Sequence, residues 1–210
     1  MKKHEQELNR MDRKKKEMRN KIINTTVRLI ESNGFEATTM EQIAREADIA
    51  KGTLYNYYSE KGAIISDYIR QTFETKNTIR LSHIRTLMDT HARMVYMINN
   101  LMDGVKLKKE IFEKYLVYSM MQVLSFDSNE VEESGIAELI LTIIELGQQN
   151  RDIRCDLPLT MITDFFQFIF IEVAKQYYMN PESFKQNEVV EKSVDLFING
   201  VKPVMIQGGK

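Results

Sequence analysis

Apolar side chains recur at intervals of three and four residues along nearly the whole chain, which is the spacing of amphipathic helices. Only 9 glycines and 3 prolines interrupt 210 residues, which is too few for a turn-rich β fold. The first helix is expected to end at Asn33-Gly34, because both residues tolerate a positive φ. Later helices are expected from Ser59 or Glu60 onward, near 88–102, 107–124 and 129–149, and over about 159–179 and 188–202. The sequence therefore predicts an all-α fold of about nine helices.

Two short helices with a tight turn between them are predicted in residues 39–57. Thr39 is a good N-cap, and Gln42 three residues later completes a capping box. Asp48 suits the turn, because aspartate tolerates the left-handed conformation and bonds to nearby backbone amides. A second helix from Lys51 to about Tyr57 follows at once, so the segment reads as a helix-turn-helix.

Positive charge is concentrated at the N-terminus. Residues 1–21 hold nine basic and four acidic side chains, although the net charge of the whole chain is -1. This asymmetry favours a polyanionic partner for the N-terminal part. A solvated, flexible tail explains the same charges equally well.

Several classes of protein are disfavoured by what the sequence lacks. Cys155 is the only cysteine, so no disulfide can form within the chain. The N-terminus has no apolar stretch of a secretory signal, and the apolar run near residues 161–174 is too short and too polar to span a membrane. We therefore expect a cytoplasmic protein without membrane contact. No Gly-rich phosphate loop, GxSxG or HExxH motif occurs, and the three histidines lack metal-ligand spacing. We therefore expect no enzyme activity, catalytic residue, cofactor or metal.

The segment from Ile22 to Ile65 resembles the N-terminal domain of the TetR family of bacterial transcriptional regulators. The matching features are Gly34-Phe35, Thr38-Thr39, Ile43-Ala44, Lys51-Gly52-Thr53-Leu54-Tyr55, Tyr57-Tyr58 and Lys61. The departures are Asp48 for a usual glycine, Ala50 for a frequent Ser or Thr, Tyr58 for a usual phenylalanine, and Gly62 where an acidic residue is common.

The resemblance implies a basic tail over 1–16, a helix-turn-helix DNA-binding domain over 17–62, and an effector-binding and dimerisation domain over 63–210. It also implies a repressor that binds a palindromic operator on double-stranded DNA as a homodimer and is released by a small apolar or amphipathic effector. The alternative is a TetR-like architectural or cell-division factor without a small-molecule effector.

The short helix 51–57 would be the recognition helix, which reads base edges while phosphate contacts fix its register. Asn56 is the best candidate for base reading, because its amide can pair with adenine, although contact with water or phosphate only is an equal alternative. Leu54 and Tyr58 are expected to point inward. The predicted DNA-binding residues are Thr39, Lys51, Gly52, Thr53, Tyr55, Asn56, Tyr57 and Lys61.

Two further sets of residues follow from the resemblance. Family behaviour favours an effector pocket in the methionine-rich middle helices, where ordinary core is the alternative. The helix 159–179 is apolar on two faces, so it needs two partners. The family pairs its last two helices across two protomers into a four-helix bundle, which implies a dimer interface here. The alternative, burial inside one protomer, would account for about a third of the apolar residues on these helices. The predicted ligand-binding residues are Met94, Met97, Phe112, Tyr115, Tyr118 and Met121, and the predicted dimer residues are Met161, Phe165, Phe168, Ile171, Val194, Phe197 and Val201.

Overall fold

The computed structural model describes residues 2–124 and 135–202, and every helix or strand assigned in these ranges is an α-helix, which confirms the all-α prediction. The start of the helix expected from residue 129 lies outside the described residues. The helices are α1 (Lys2–Asn33), α2 (Met40–Glu46), α3 (Lys51–Tyr57), α4 (Lys61–Thr86), α5 (Thr90–Leu107), α6 (Lys109–Leu124), α7 (Gly135–Gln149), α8 (Leu159–Met179) and α9 (Gln186–Val201).

Two residues with positive φ set the helix ends that matter for the N-terminal region. Gly34 has φ +84° and its N–H donates to the carbonyl oxygen of Ile30 at 2.8 Å, which ends α1 where the sequence predicts. Asp48 has φ +50° in the turn between α2 and α3. The short side chain of aspartate accepts this conformation where most residues would not.

Helix α1 begins at Lys2 and so includes most of the basic segment 1–16, whose flexibility stays a prediction. Lysine, arginine and glutamate are good helix formers, so a charged segment can extend a helix without packing against anything. Residues 10–17 are exposed along this extension, and Arg13 pairs with Glu17 across one helical turn at 3.7 Å.

The chain divides into two compact units, and the division falls inside α4 between Ile69 and Arg70. The first unit contains α1 to α3, the first turns of α4, and α6; the second contains the rest of α4 with α5, α7, α8 and α9. The domain limits expected from sequence stay a prediction, and the first unit differs from them by including α6.

Each unit has its own apolar core. In the first unit, Ile22, Ile43 and Leu54 bring α1, α2 and α3 together, with Tyr58 beside them. In the second, α5, α8 and α9 pack on one another, and the rings of Phe166 and Phe197 lie 5.3 Å apart. No helix in the described ranges is long and apolar enough to cross a membrane.

Candidate nucleic-acid interface

The turn between α2 and α3 holds the two helices in a fixed arrangement. Thr39 caps α2, with its hydroxyl oxygen accepting from the backbone N–H of Gln42 at 3.1 Å. The N–H of Ile49 donates to the carbonyl oxygen of Ala44 at 3.0 Å, so the turn is closed by a backbone bond. Thr39 therefore stands at the start of the helix preceding the candidate reader, as the sequence predicts.

Helix α3 has one buried face and one open face. Leu54 is fully buried and anchors the helix in the core of the first unit. A Cβ atom at Gly52 would meet nothing within 4 Å, so a flat surface can approach the backbone there. The exposed or half-buried side of the helix carries Lys51, Gly52, Thr53, Tyr55, Asn56 and Tyr57.

Lys51 and Glu41 form an ion pair between the starts of α3 and α2, and both side chains are exposed. The hydrogen bond with Glu41 raises the pKa of Lys51, and the same bond lowers the pKa of Glu41. The ammonium group of Lys51 also lies 5.7 Å from the centre of the Tyr55 ring. A carboxylate thus competes with any phosphate or guanine for Lys51, a feature that the sequence did not reveal.

Lys61 is held more tightly than expected. Its ammonium group donates to the carbonyl oxygens of Phe35 and Thr38 at 2.6 and 2.5 Å, and it lies 4.1 Å from the centre of the Phe35 ring. An ammonium group has three donors, so these two bonds leave one for another acceptor. Lys61 stays a predicted phosphate contact, with a structural task in addition.

Tyr58 ties the end of α3 to α4 and α1. Its hydroxyl donates to the Asp67 carboxylate, and the Nε of Arg19 lies 3.3 Å from the same carboxylate oxygen. Burial and this hydrogen bond raise the pKa of Tyr58. The inward orientation of Tyr58 was predictable, but its polar partners were not, because they lie on two other helices.

Comparison with known proteins identifies this helix-turn-helix. Residues 22–68 match the family model for bacterial regulatory proteins of the tetR family. The chain is also 28% identical over 191 residues to the HTH-type transcriptional regulator YvaF of Bacillus subtilis (strain 168), covering 88% of this chain and 95% of that relative. Residues 22–68 therefore form a helix-turn-helix of the TetR type, and the chain resembles a transcriptional regulator over most of its length.

Two other similarities agree with this assignment. Over 59 residues, 28% of each chain, it is 37% identical to the HTH-type transcriptional repressor KstR of Rhodococcus jostii (strain RHA1). Its fold resembles that of FadR from Thermus thermophilus, a TetR-family repressor solved with lauroyl-CoA, with a TM-score of 0.73, 19% identity, and coverage of 91% of this chain and 99% of that one. Both of these proteins are named as transcriptional repressors.

The residues predicted to bind an effector are divided between the two units. Met94 and Met97 are buried in the second unit, whereas Phe112 and Tyr115 on α6 are buried in the first. Tyr118 is half-buried and Met121 is 65% exposed on the same helix. A cleft in the second unit includes Met97 alone of the six, and it is too narrow to hold a water molecule. The predicted set remains a prediction.

The predicted dimer residues separate by helix. On α8, Met161, Phe165 and Phe168 are exposed and Ile171 is half-buried. On α9, the predicted residues are Val194, Phe197 and Val201, and all three lie on the inward face of the helix. They pack in the protomer's own core and are not exposed. The apolar side chain that α9 exposes is Leu196, at 74%.

Among the described residues, no group of three or more His, Cys, Asp or Glu side chains is arranged to hold a metal ion. His91 is close to two carboxylates of α9, with its Nε2 3.4 Å from Glu191 and 3.1 Å from Asp195. These contacts join α5 to α9 in the second unit.

Proposed function

We propose that this protein is a TetR-family repressor that binds a palindromic operator as a homodimer and is released by a small apolar or amphipathic effector. The open face of α3 carries the proposal, because one short helix presents a cation, a hydroxyl, an amide and two phenols over a buried Leu54. A recognition helix needs this combination of base-edge and phosphate contacts.

The proposed contacts assign a task to each predicted DNA-binding residue. Asn56 reads a base edge, and Lys51 contacts guanine or phosphate once it leaves Glu41. Tyr55 and Tyr57 contact phosphates through their hydroxyls. Thr53 offers a hydroxyl and a methyl group, Gly52 allows close approach, and Thr39 and Lys61 hold the backbone from the adjacent helix starts.

A single recognition helix reads few base pairs, so the proposal needs two copies of the chain. Met161, Phe165 and Phe168 recur at helical spacing on α8, and their exposure supports an interface along this face with Leu196 of α9. Large exposed apolar patches on a folded protein are typical of interaction sites.

Helix α4 is the proposed route from effector to DNA, because it begins in the first unit directly after α3 and continues into the second. An effector that prefers one position of α4 would shift the population towards it and change the spacing of the two recognition helices. FadR of Thermus thermophilus was solved with lauroyl-CoA. At 19% identity the likeness carries the fold, so lauroyl-CoA is a first compound to try and nothing more.

The test is binding of the full-length protein to its own promoter region, measured by fluorescence anisotropy over a range of salt concentrations. Asn56→Ala should lower affinity for the specific site, while Asn24→Ala, an exposed amide on α1, serves as the matched control. Equal affinity for this promoter and for random DNA would contradict the repressor proposal.

One observation favours the second candidate, a DNA-binding factor without an effector. The cleft in the second unit has no room for a water molecule, as expected if no ligand ever enters it. The two candidates separate in the same assay: specific binding that no apolar compound reduces would select the factor without an effector.

A further inference from the structure

Arg80 is a half-buried cation on a mostly apolar cleft of the second unit. The guanidinium group stands on α4 with its carbon 4.6 Å from the centre of the Phe73 ring. Asn100 supplies the other polar group of the cleft. The remaining lining is apolar or aromatic and consists of Phe73, Ile84, Tyr96, Met97, Leu101 and Leu139.

The polar partners of Arg80 use little of its donor capacity. Its Nε donates to the side-chain oxygen of Asn100, and its Nη1 donates to the carbonyl oxygen of Phe73, both at 3.4 Å. Hydrogen bonds of this kind are usually near 2.9 to 3.0 Å, so both contacts are weak. A guanidinium group has five N–H donors in a planar fork that matches an oxyanion, and most of this fork remains available.

No carboxylate in the described part of the chain forms an ion pair with Arg80. Burial lowers the pKa of Arg80, and Tyr96 partly opposes this. The guanidinium group stays charged at neutral pH. A half-buried charge with no opposite charge beside it is costly, and such charges are normally paired.

Arg93 on α5 is a second buried cation near the cleft, and its role is different. Its Nε and Nη2 donate to the carbonyl oxygens of Ile84 and Leu87 at 3.1 and 2.9 Å, so it caps the last turn of α4. Its Nη1 is buried without a hydrogen-bond partner among the described residues. Ile84, whose carbonyl oxygen Arg93 contacts, also lines the cleft.

We propose that this cleft binds an apolar molecule that carries one oxyanion group, such as a carboxylate, and that Arg80 is the residue that recognises the anion. The proposal rests on the proposed function in one respect, since this ligand would be the effector. The anion would supply the missing counter-charge, and the apolar body of the ligand would lie among the side chains of α4, α5 and α7.

The cleft must widen to admit such a ligand, because it is closed to water in the structure. Met97 is suited to this movement, since methionine has three rotatable bonds and adapts to irregular spaces. The phenol of Tyr96 is half-buried, so that side chain is already partly in solvent. Movement of these two side chains would open the cleft beside Arg80.

The experiment compares matched anionic and neutral compounds on the full-length protein by titration calorimetry. The pairs are decanoate with 1-decanol and 4-butylbenzoate with 4-butylbenzyl alcohol, all below micelle-forming concentrations. The variants are Arg80→Met, which keeps the volume and removes the charge, and Arg80→Lys. Arg85→Met is the control, because Arg85 is exposed on the same helix.

At least one carboxylate should bind the wild-type protein about tenfold or more tightly than its alcohol, as expected for a hydrogen bond to a charged group. Arg80→Met should abolish this preference while the alcohol still binds, Arg80→Lys should retain part of it, and Arg85→Met should retain all of it. Carboxylates that bind no better than alcohols, or no binding of either carboxylate, would overturn the proposal.

Operator binding with and without the carboxylate separates this proposal from the proposed function. Arg80-dependent binding that leaves operator affinity unchanged would keep the anion site and remove its role as the effector site. If the ligand-free protein shows no specific operator binding, the proposed repressor function is wrong, while the proposal of an anion site at Arg80 still stands.

Discussion

The ring of Tyr118 on α6 lies directly against Gly62 in the first turn of α4. A Cβ atom at position 62 would collide with this ring, since the Cγ and Cε2 atoms of Tyr118 would lie only 3.0 and 3.2 Å away. Gly62 is buried, and burial raises the pKa of Tyr118. Glycine is therefore required at position 62 by packing within the first unit.

We predict that Gly62→Ala lowers the free energy of unfolding by about 1–3 kcal/mol, the usual cost of overpacking a well-packed site. A glycine in an open helix behaves in the opposite way, because replacement by alanine there stabilises by about 0.5–1 kcal/mol. Urea denaturation followed by circular dichroism distinguishes the two outcomes by their sign.

The control for this prediction is a double-mutant cycle with Tyr118→Leu, which removes the flat ring from position 62. In that background Gly62→Ala should cost much less, because the two changes share one contact. Equal costs in both backgrounds would assign the effect to the helix start and not to Tyr118.

Position 48 gives a second prediction, because Asp48 occupies the left-handed region with φ +50°. Asp48→Val should lower the free energy of unfolding by about 1–2 kcal/mol, since a β-branched side chain is strained there. Asp48→Gly should be at least as stable as the wild type and more stable than the valine variant. Asp48→Asn should resemble the wild type. A valine variant of unchanged stability in thermal denaturation would contradict this.

Local signals made the N-terminal fold predictable from sequence. The bounds of α3, the cap at Thr39 and the left-handed residues Gly34 and Asp48 each depend on side chains within a few positions. Capping and turn chemistry act over one helical turn, so a short window of sequence contains them.

Contacts between distant segments were not predictable in the same way. Glu110 on α6 accepts a hydrogen bond from the backbone N–H of Phe35, 75 positions earlier in the chain, at 2.7 Å. Lys114 pairs with Glu36 at 2.7 Å beside it. Periodicity shows that α9 has an apolar stripe but not which helix covers it, which is why Val194 and Phe197 were expected at a dimer surface and are buried inside the protomer.

The ion pair between Glu41 and Lys51 leads to a third prediction. Glu41→Gln should raise operator affinity and steepen the dependence of log K on log salt by about one, because Lys51 becomes available to neutralise a phosphate. Glu46→Gln is the control for net charge, because it removes the same charge from the same helix. The Glu46 carboxylate pairs with Arg28 and Arg45 and not with Lys51. Equal effects of both variants in anisotropy titrations would refute a specific role for the pair.

The exposed face of α8 yields a fourth prediction about assembly. Phe165 is 59% exposed, and Phe165→Asp should convert the proposed dimer into a monomer in light scattering, because a buried charge at an apolar interface is strongly disfavoured. Ile79→Asp is the control, since Ile79 is 71% exposed on α4. A wild-type protein that is monomeric at micromolar concentration would remove the proposed interface altogether.

The hydrogen bond between Tyr58 and Asp67 predicts how stability depends on alkaline pH. Burial and this bond raise the pKa of Tyr58 above its ordinary value of 10.0, so the folded state keeps a proton that the unfolded chain releases. The stabilising contribution is complete below pH 10 and decreases as pH rises beyond it.

The Tyr58→Phe variant has no such proton, and at neutral pH it should cost about 1–3 kcal/mol because Asp67 loses a buried partner. In urea denaturation, the difference in unfolding free energy between the two proteins should therefore stay constant up to about pH 10 and shrink between about pH 10 and pH 11. A constant difference across that range would mean that the Tyr58 hydroxyl is not held by Asp67.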